Sequence, residues 1–322
     1  MRVVLVSSRS FAHVLKVGEE LLANAGFKVK RVSAAERPLD AAKLAKIVKR
    51  ERPHALICGA EPITAEVLRA SDNLRLVMKH GVGVDNIDIE FATAMGVLVA
   101  NTPDTNTEAV ADLTIGLMLV LLRKICEANV ATHLGRWEPF IGHELGTMKV
   151  GVVGTGRIGG GVIKRLSAFD SEILAYDVNP RQDLASKYGV HYVSLEELLA
   201  VSDIVTLHVP LTKETKNMIG PRELDLMKRN ACLINVARGE IVDEKALYDR
   251  LRSKRIAAAA LDVFAKEPPR ANPLLQLDNV ILTPHIGAYT YEAIERMDRL
   301  CASIIVEVFN GKQPPYILNP KV

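Results

Sequence analysis

The sequence predicts an α/β fold of two doubly wound parallel-sheet domains with a cleft between them, one being a Rossmann dinucleotide-binding domain. Three observations predict it. Short apolar runs alternate with helical stretches along most of the 322 residues, the rhythm of βα units whose parallel sheet is covered on both faces. That rhythm breaks between about residues 101 and 147 and then restarts. At the restart, Met148-Lys149-Val150-Gly151-Val152-Val153 runs into Gly154-Thr155-Gly156-Arg157-Ile158-Gly159, and a helical pattern follows through Phe169.

In the first part, strand patterns at 2–7, 28–32, 55–58, 74–79 and 97–100 alternate with helical ones at 13–24, 41–49, 64–70 and 88–95. Lys43, Lys46, Lys49 and Arg50 recur at helical spacing, so this basic run reads as the solvated face of an amphipathic helix. Turn chemistry at 101–106 introduces a long helix expected over 107–133. Its residues Ala111, Ile115, Met118, Leu119 and Leu122 make it too apolar to lie free in water, which points to a bridge between domains or to a second subunit.

After residue 148, strand patterns at 150–153, 173–177, 191–193, 204–209, 232–236, 257–263 and 280–283 suffice for one doubly wound sheet. A last helix at 291–309 and a proline-containing tail are too short for a third domain. They are expected to return to the first, giving a substrate domain of flavodoxin-like topology from 1–101 and 289–322 around a cofactor domain at 102–288.

Composition narrows the class. A 48% hydrophobic content is ordinary for a globular protein, and 41 basic against 38 acidic residues, net +3, makes no electrostatic case for nucleic acid. Cys58, Cys126, Cys232 and Cys301 are far apart without metal-ligand spacing, so buried reduced thiols are expected and no metal. A strand pattern already begins at residue 3, and the apolar run 113–122 is too short for a bilayer. The expectation is a cytoplasmic protein with neither leader nor membrane span.

Each fingerprint glycine has a physical task. Gly154 permits the tight turn, Gly156 admits a pyrophosphate against the backbone, and Gly159 lets helix pack on strand while the phosphate meets the helix N-terminus. The apolar run 173–176 ends in Asp177, whose carboxylate suits ribose hydroxyls and repels a 2′-phosphate. NAD is therefore expected rather than NADP, with Arg181 just beyond leaving some NADP tolerance open.

Ligands of parallel sheets sit beyond the carboxyl ends of strands. Three such ends in the second domain carry Arg238, Asp262 with Glu267 five positions on, and His285. Taken singly, each has an ordinary explanation as a surface charge, a loop carboxylate or a backbone-held histidine. Together they form a usable set. A guanidinium clamps a carboxylate bidentately, an imidazole moves a proton near neutral pH, and a carboxylate orients that ring. Beside a nicotinamide, that set suits hydride transfer between a 2-hydroxy acid and a 2-keto acid.

Several segments carry a resemblance: 79–88 (Lys-His-Gly-Val-Gly-Val-Asp-Asn-Ile-Asp), 153–159, 207–212 (Leu-His-Val-Pro-Leu-Thr), 235–239 (Asn-Val-Ala-Arg-Gly), 260–264 with Glu267-Pro268, and 283–288 (Thr-Pro-His-Ile-Gly-Ala). In this order they resemble the D-isomer-specific 2-hydroxyacid dehydrogenases, most closely the short phosphoglycerate-dehydrogenase-like branch. The resemblance implies that Arg238 holds the substrate carboxylate, His285 is the general acid/base and Glu267 its partner. It places Gly154, Gly156, Arg157, Ile158, Gly159 and Asp177 at the cofactor. His208, Pro210, Thr212, Ala237, Asp262 and His285 join them there, Asp262 through the nicotinamide carboxamide. It assigns Lys79, Val82 and Gly83 to substrate, with Arg238 and His285. It further implies cleft closure, with hinges near 101–103 and 287–289, and a homodimer formed through the cofactor domain.

The chain departs from this pattern at two places. Lys79-His80 stands where phosphoglycerate dehydrogenases commonly place an arginine, and Tyr289-Thr290 replaces a small Ser-Thr pair. The first still offers a point charge for phosphate but no fork, and the second narrows the substrate choice. The resemblance makes 3-phosphoglycerate, and hence serine synthesis, the leading expectation, without the regulatory domain of longer relatives. Glyoxylate, hydroxypyruvate or D-lactate chemistry on the same fold follows it. An NAD(H)-sensing binding protein is a rival that the intact Arg238/Glu267/His285 set disfavours, and formate oxidation would need no such base.

Overall fold

A computed structural model describes residues 1–320. The elements run β1 (Arg2–Val6), α1 (Val17–Asn24), β2 (Phe27–Arg31), α2 (Ala41–Glu51), β3 (Ala55–Cys58), α3 (Ala65–Leu68), β4 (Leu76–Lys79), α4 (Ile89–Ala94) and β5 (Leu98–Ala100). Then come α5 (Thr107–Arg123), α6 (Ile125–His133), β6 (Lys149–Val153), α7 (Arg157–Leu166), β7 (Glu172–Tyr176), α8 (Gln182–Tyr188), β8 (His191–Tyr192), α9 (Leu195–Val201) and β9 (Ile204–Leu207). The chain closes with α10 (Pro221–Leu226), β10 (Cys232–Asn235), α11 (Glu244–Arg252), β11 (Ala258–Leu261), β12 (Val280–Leu282) and α12 (Tyr291–Phe309).

The chain divides into two compact units, one of Met1–Asn106 with Ala288 onward, the other Thr107–Gly287. The first carries a parallel sheet in the order β2-β1-β3-β4-β5. Its strands alternate strictly. Leu5, Leu56 and Cys58 face one apolar layer while Val4, Val6 and Ile57 face the other, as period-two side chains must when helices cover both faces. α12 belongs to the second layer through Cys301, Ala302, Ile304 and Ile305, and the tail beyond it pairs with β5, Leu318 N–H donating to Val99 O at 2.8 Å.

The division falls after Asn106 rather than after residue 101. Thr102 and Gly81 exchange backbone and hydroxyl hydrogen bonds, and the Thr105 carbonyl accepts from Arg296 Nε at 3.0 Å, which ties 102–105 to the first unit.

The second unit holds a parallel sheet ordered β12-β11-β10-β9-β6-β7-β8. Strand order reverses between β6 and β9, so the crevice for a ligand lies past Val153 and Leu207. α5 packs its stripe on this unit's own sheet. Ala111, Ile115, Met118 and Leu122 are buried beside Val150, Val152, Ile163 and Ala260. The expected role of this stripe as a bridge or subunit contact is therefore corrected.

The long helix is also broken. Lys124 adopts a left-handed conformation, φ 51, between α5 and α6. Returning chain displaces the helical bond there: His143 N–H takes the Leu122 carbonyl at 3.0 Å, and a Cβ on Gly142 would stand 2.2 Å from that same oxygen. What stays exposed is the stretch beyond the break, with Val130, Leu134, Trp137 and Ile141 at 54, 68, 94 and 81%. The cysteine expectation needs one correction, because Cys126, in α6, is exposed. Burial pushes the Cys58 thiol up to about 12 and that of Cys232 up to about 11, which keeps both unreactive. Among the described residues, no helix is long and apolar enough to cross a membrane.

Candidate active site

Strand β6, the turn after it and α7 form a cradle. Gly154 has φ +92, and a Cβ there would lie 2.8 Å from the His208 carbonyl carbon. On Gly159 it would meet the Gly154 oxygen at 1.9 Å, so turn and helix fit only without side chains. At Gly156 a Cβ would meet nothing within 4 Å. That residue N-caps α7 with no side-chain cap, which leaves room for an anion at the start of the helix.

His208 closes the same crevice. Its Nε2 pairs with Thr206 Oγ1 at 2.9 Å, while its buried Nδ1 has no partner among the described residues. Burial pushes this imidazole down to about 3, so it is neutral at ordinary pH. Open glycine cradle, uncapped helix start and orphaned neutral imidazole together fit a dinucleotide. Asp177, at the end of β7, takes Thr155 N–H and Oγ1 on one oxygen at 2.6 and 3.1 Å, and Asn179 N–H on the other at 2.8 Å. A carboxylate offers about four acceptor positions, so one remains for a ribose hydroxyl. Thr212 spends its hydroxyl on its own turn, accepting from Glu214 and Thr215 N–H, and Pro210 lends its carbonyl to the Thr215 hydroxyl.

The candidate acid/base set also lies in this unit. His285 Nδ1 stands 2.8 and 3.1 Å from the two Glu267 oxygens. Burial pushes the Glu267 carboxyl up, but the hydrogen bond and charge of His285, the Phe264 N–H and the Arg238 charge outweigh it and hold the group below its usual value. Gly239 brings these pieces together, since a Cβ there would lie 1.9 Å from the Phe264 carbonyl carbon. Only glycine lets the Arg238 turn press on the loop carrying Glu267. Asn235 holds that turn, its amide nitrogen donating to Arg238 O at 2.8 Å and its oxygen accepting from Ala237 N–H at 3.1 Å.

Asp262 is buried and spends most of its carboxylate on the histidine loop. Oδ1 accepts from Thr283 Oγ1 and Ile286 N–H at 2.6 and 2.8 Å, and Oδ2 accepts from Gly287 N–H at 2.9 Å. His285 itself sits at φ 55 with its N–H on the Asp262 carbonyl. In this structure Asp262 therefore holds the loop of the histidine.

The three substrate candidates of the other unit divide. Lys79 is buried, its ammonium donating to Gly59 O at 2.6 Å and Asn86 Oδ1 at 2.7 Å. It pins the following loop from inside. Val82 gives its carbonyl to Asn101, while neither its N–H nor that of Gly83 meets an acceptor among the described residues.

Sequence reasoning missed a buried line in this unit. Ser10 Oγ lies 2.8 Å from His80 Nδ1, and His80 Nε2 lies 2.9 Å from Asp298 Oδ1, both of the latter side chains fully buried. With 218 positions separating His80 from Asp298, no local signal could reveal it.

Comparison with known proteins agrees with this chemistry. Residues 115–287 match the family described as D-isomer specific 2-hydroxyacid dehydrogenase, NAD binding domain. A glyoxylate reductase of Korarchaeum cryptofilum is 43% identical over 269 residues, covering 81% of each chain. A D-3-phosphoglycerate dehydrogenase of Methanocaldococcus jannaschii is 45% identical over 260 residues, 80% of this chain but 50% of that protein, so the chain spans about half the length of this relative. The crystal structure of D-lactate dehydrogenase from Aquifex aeolicus, complexed with NAD and lactic acid, superposes with a TM-score of 0.86 at 30% identity over 99% of both chains. The chain belongs to the D-isomer specific 2-hydroxyacid dehydrogenases and carries their NAD-binding domain.

Proposed function

We propose that this chain interconverts a D-2-hydroxy acid and its 2-keto acid. The bidentate seat of His285 on Glu267, with Arg238 beside it, carries the reading. Nδ1 is taken by Glu267, which leaves Nε2 to accept the C2 hydroxyl proton in one direction and return it in the other. Glu267 orients the ring. Arg238 supplies the fork for the substrate carboxylate. The N–H groups of Val82 and Gly83 are further donors for a carboxylate. Gly154, Gly156, Gly159 and Asp177 would hold a bound NAD, which supplies the hydride acceptor for the alcohol and, reduced, the donor for the ketone.

Two substrate classes compete. 3-Phosphoglycerate is the expectation from the family branch, and relatives bearing that activity's name support it. A small unphosphorylated acid such as glyoxylate or hydroxypyruvate is supported by a specific observation: the Lys79 ammonium, the cation in the motif position for phosphate, is spent on Gly59 and Asn86. The glyoxylate reductase relatives also match over their own length, 81% in the Korarchaeum cryptofilum protein. We favour the small acid. The exposed apolar stretch at Val130, Leu134, Trp137 and Ile141 supports a homodimer through the second unit.

The test follows NADH oxidation with 3-phosphohydroxypyruvate, hydroxypyruvate, glyoxylate and pyruvate. Preference for the phosphorylated acid would restore the first substrate class. His285→Ala should reduce turnover by about 10²–10⁴-fold while NADH still binds. Tight NADH binding by wild type without turnover of any acid would replace the enzyme reading with that of a sensor.

A further inference from the structure

The loop after Asp177 contains a cation that the dehydrogenase chemistry does not use. Arg181 lies four residues on, just before α8. Its guanidinium forks onto Asp183, Nε to Oδ1 at 3.1 Å and Nη2 to Oδ2 at 2.5 Å. A Cβ on Gly160 would lie 3.2 Å from Arg181 Nη1, so the guanidinium rests on the early part of α7, the helix that opens at Gly156.

This position is tied to the ribose-binding strand end. The Arg181 N–H donates to the Tyr192 hydroxyl at 3.0 Å, and that hydroxyl donates to Thr155 Oγ1 at 3.1 Å. Thr155 in turn donates to Asp177 through both its N–H and its hydroxyl. The backbone of Arg181 thus belongs to one hydrogen-bonded loop with Asp177, the carboxylate assigned to the ribose. An arginine beside such a carboxylate is the usual partner of a 2′-phosphate. Here its charge is matched by a carboxylate two residues away.

We propose that Asp183 is a cofactor-specificity residue: by clamping Arg181 it keeps a 2′-phosphate site closed, so that discrimination against NADP is exercised at two carboxylates, Asp177 and Asp183. The inference rests on the dinucleotide reading of this unit. The pair supports it electrostatically as well, each partner holding the other in its charged form. Both side chains are largely exposed, 42 and 64%, so the clamp is an ordinary surface pair whose opening is worth a modest factor. Removing Asp183 releases the fork of Arg181.

The test is direct binding, read from NADH and NADPH fluorescence on titration with the purified protein, independent of turnover. Asp183→Asn should lower the NADPH Kd by about three- to tenfold and leave the NADH Kd within about twofold. The gain should vanish in Asp183→Asn/Arg181→Ala and shrink in high salt. An unchanged NADPH Kd, an equal change for NADH, or a gain that persists without Arg181 would each overturn the proposal. Failure of wild type to bind NADH would instead remove the dinucleotide reading on which it stands.

Discussion

The backbone N–H of His285 donates to the carbonyl of Asp262 at 2.8 Å, and the carboxylate of that same aspartate collects the next two backbone N–H groups. A histidine at φ 55 is strained for a non-glycine residue, and this buried acceptor compensates for the strain. Asp262→Ala would strand the N–H groups of Ile286 and Gly287, the latter buried, and the Thr283 hydroxyl. The expected loss is about 2–4 kcal/mol of unfolding free energy, measured by denaturant titration. Turnover should fall while circular dichroism at low temperature stays native. A variant as stable as wild type would show that the loop holds itself.

Glu267 sits below its ordinary value of 4.5, because pairing with His285 and Arg238 exceeds the cost of burial. A carboxyl lowered in the fold adds stability above its unfolded value and loses it as pH falls through the folded one. Glu267→Gln should therefore lower Tm at pH 7, and the gap to wild type should close below about pH 4.5. Thermal melts of both proteins between pH 3 and 7 read this directly. A pH-independent gap would mean that the effect is packing alone.

The contact at Gly239 is steric. Gly239→Ala would force the Arg238 turn away from Phe264 and the Glu267 loop, at a cost of about 1–3 kcal/mol. A displacement of this kind should cut kcat/KM for the keto acid by about 10²-fold. Steady-state kinetics on folded variant protein would decide, and an unchanged kcat/KM would separate the turn from the chemistry.

Trp137 is 94% exposed and is the single tryptophan of the chain, so it reports on its own surroundings. In a homodimer through this stretch, its emission should shift to the blue with rising protein concentration. Trp137→Asp should weaken association at least tenfold, about 1.4 kcal/mol. Light scattering with size-exclusion chromatography checks the mass, and a wild type that stays monomeric at tens of micromolar would remove the dimer reading.

Much of the architecture was legible in the sequence. Continuous apolar runs such as Val3-Val4-Leu5-Val6 are local facts of burial, and α12 spans Tyr291–Phe309 as its apolar periodicity predicts. The glycine fingerprint was legible for the same reason, since a positive φ at Gly154 and contact at Gly159 leave a glycine-only record in the chain. So was the set of Arg238, Glu267 and His285, because each follows a strand and polar residues at strand ends stand out against apolar runs. The break at Lys124 was not, since it depends on residues 142 and 143 reaching the carbonyl of Leu122.

Tertiary structure alone decided how charges and hydrogen bonds are spent. Lys79 reads as a phosphate ligand by position but gives its protons to Gly59 and Asn86. Arg181 reads as an opening for NADP but is forked onto Asp183, and Asp298 finds His80 across 218 residues. Sequence determines where an apolar side chain must go, because burial is non-directional and its period is local. Which partner a polar group takes depends on distances of about 3 Å between segments, and those exist only once the chain is packed.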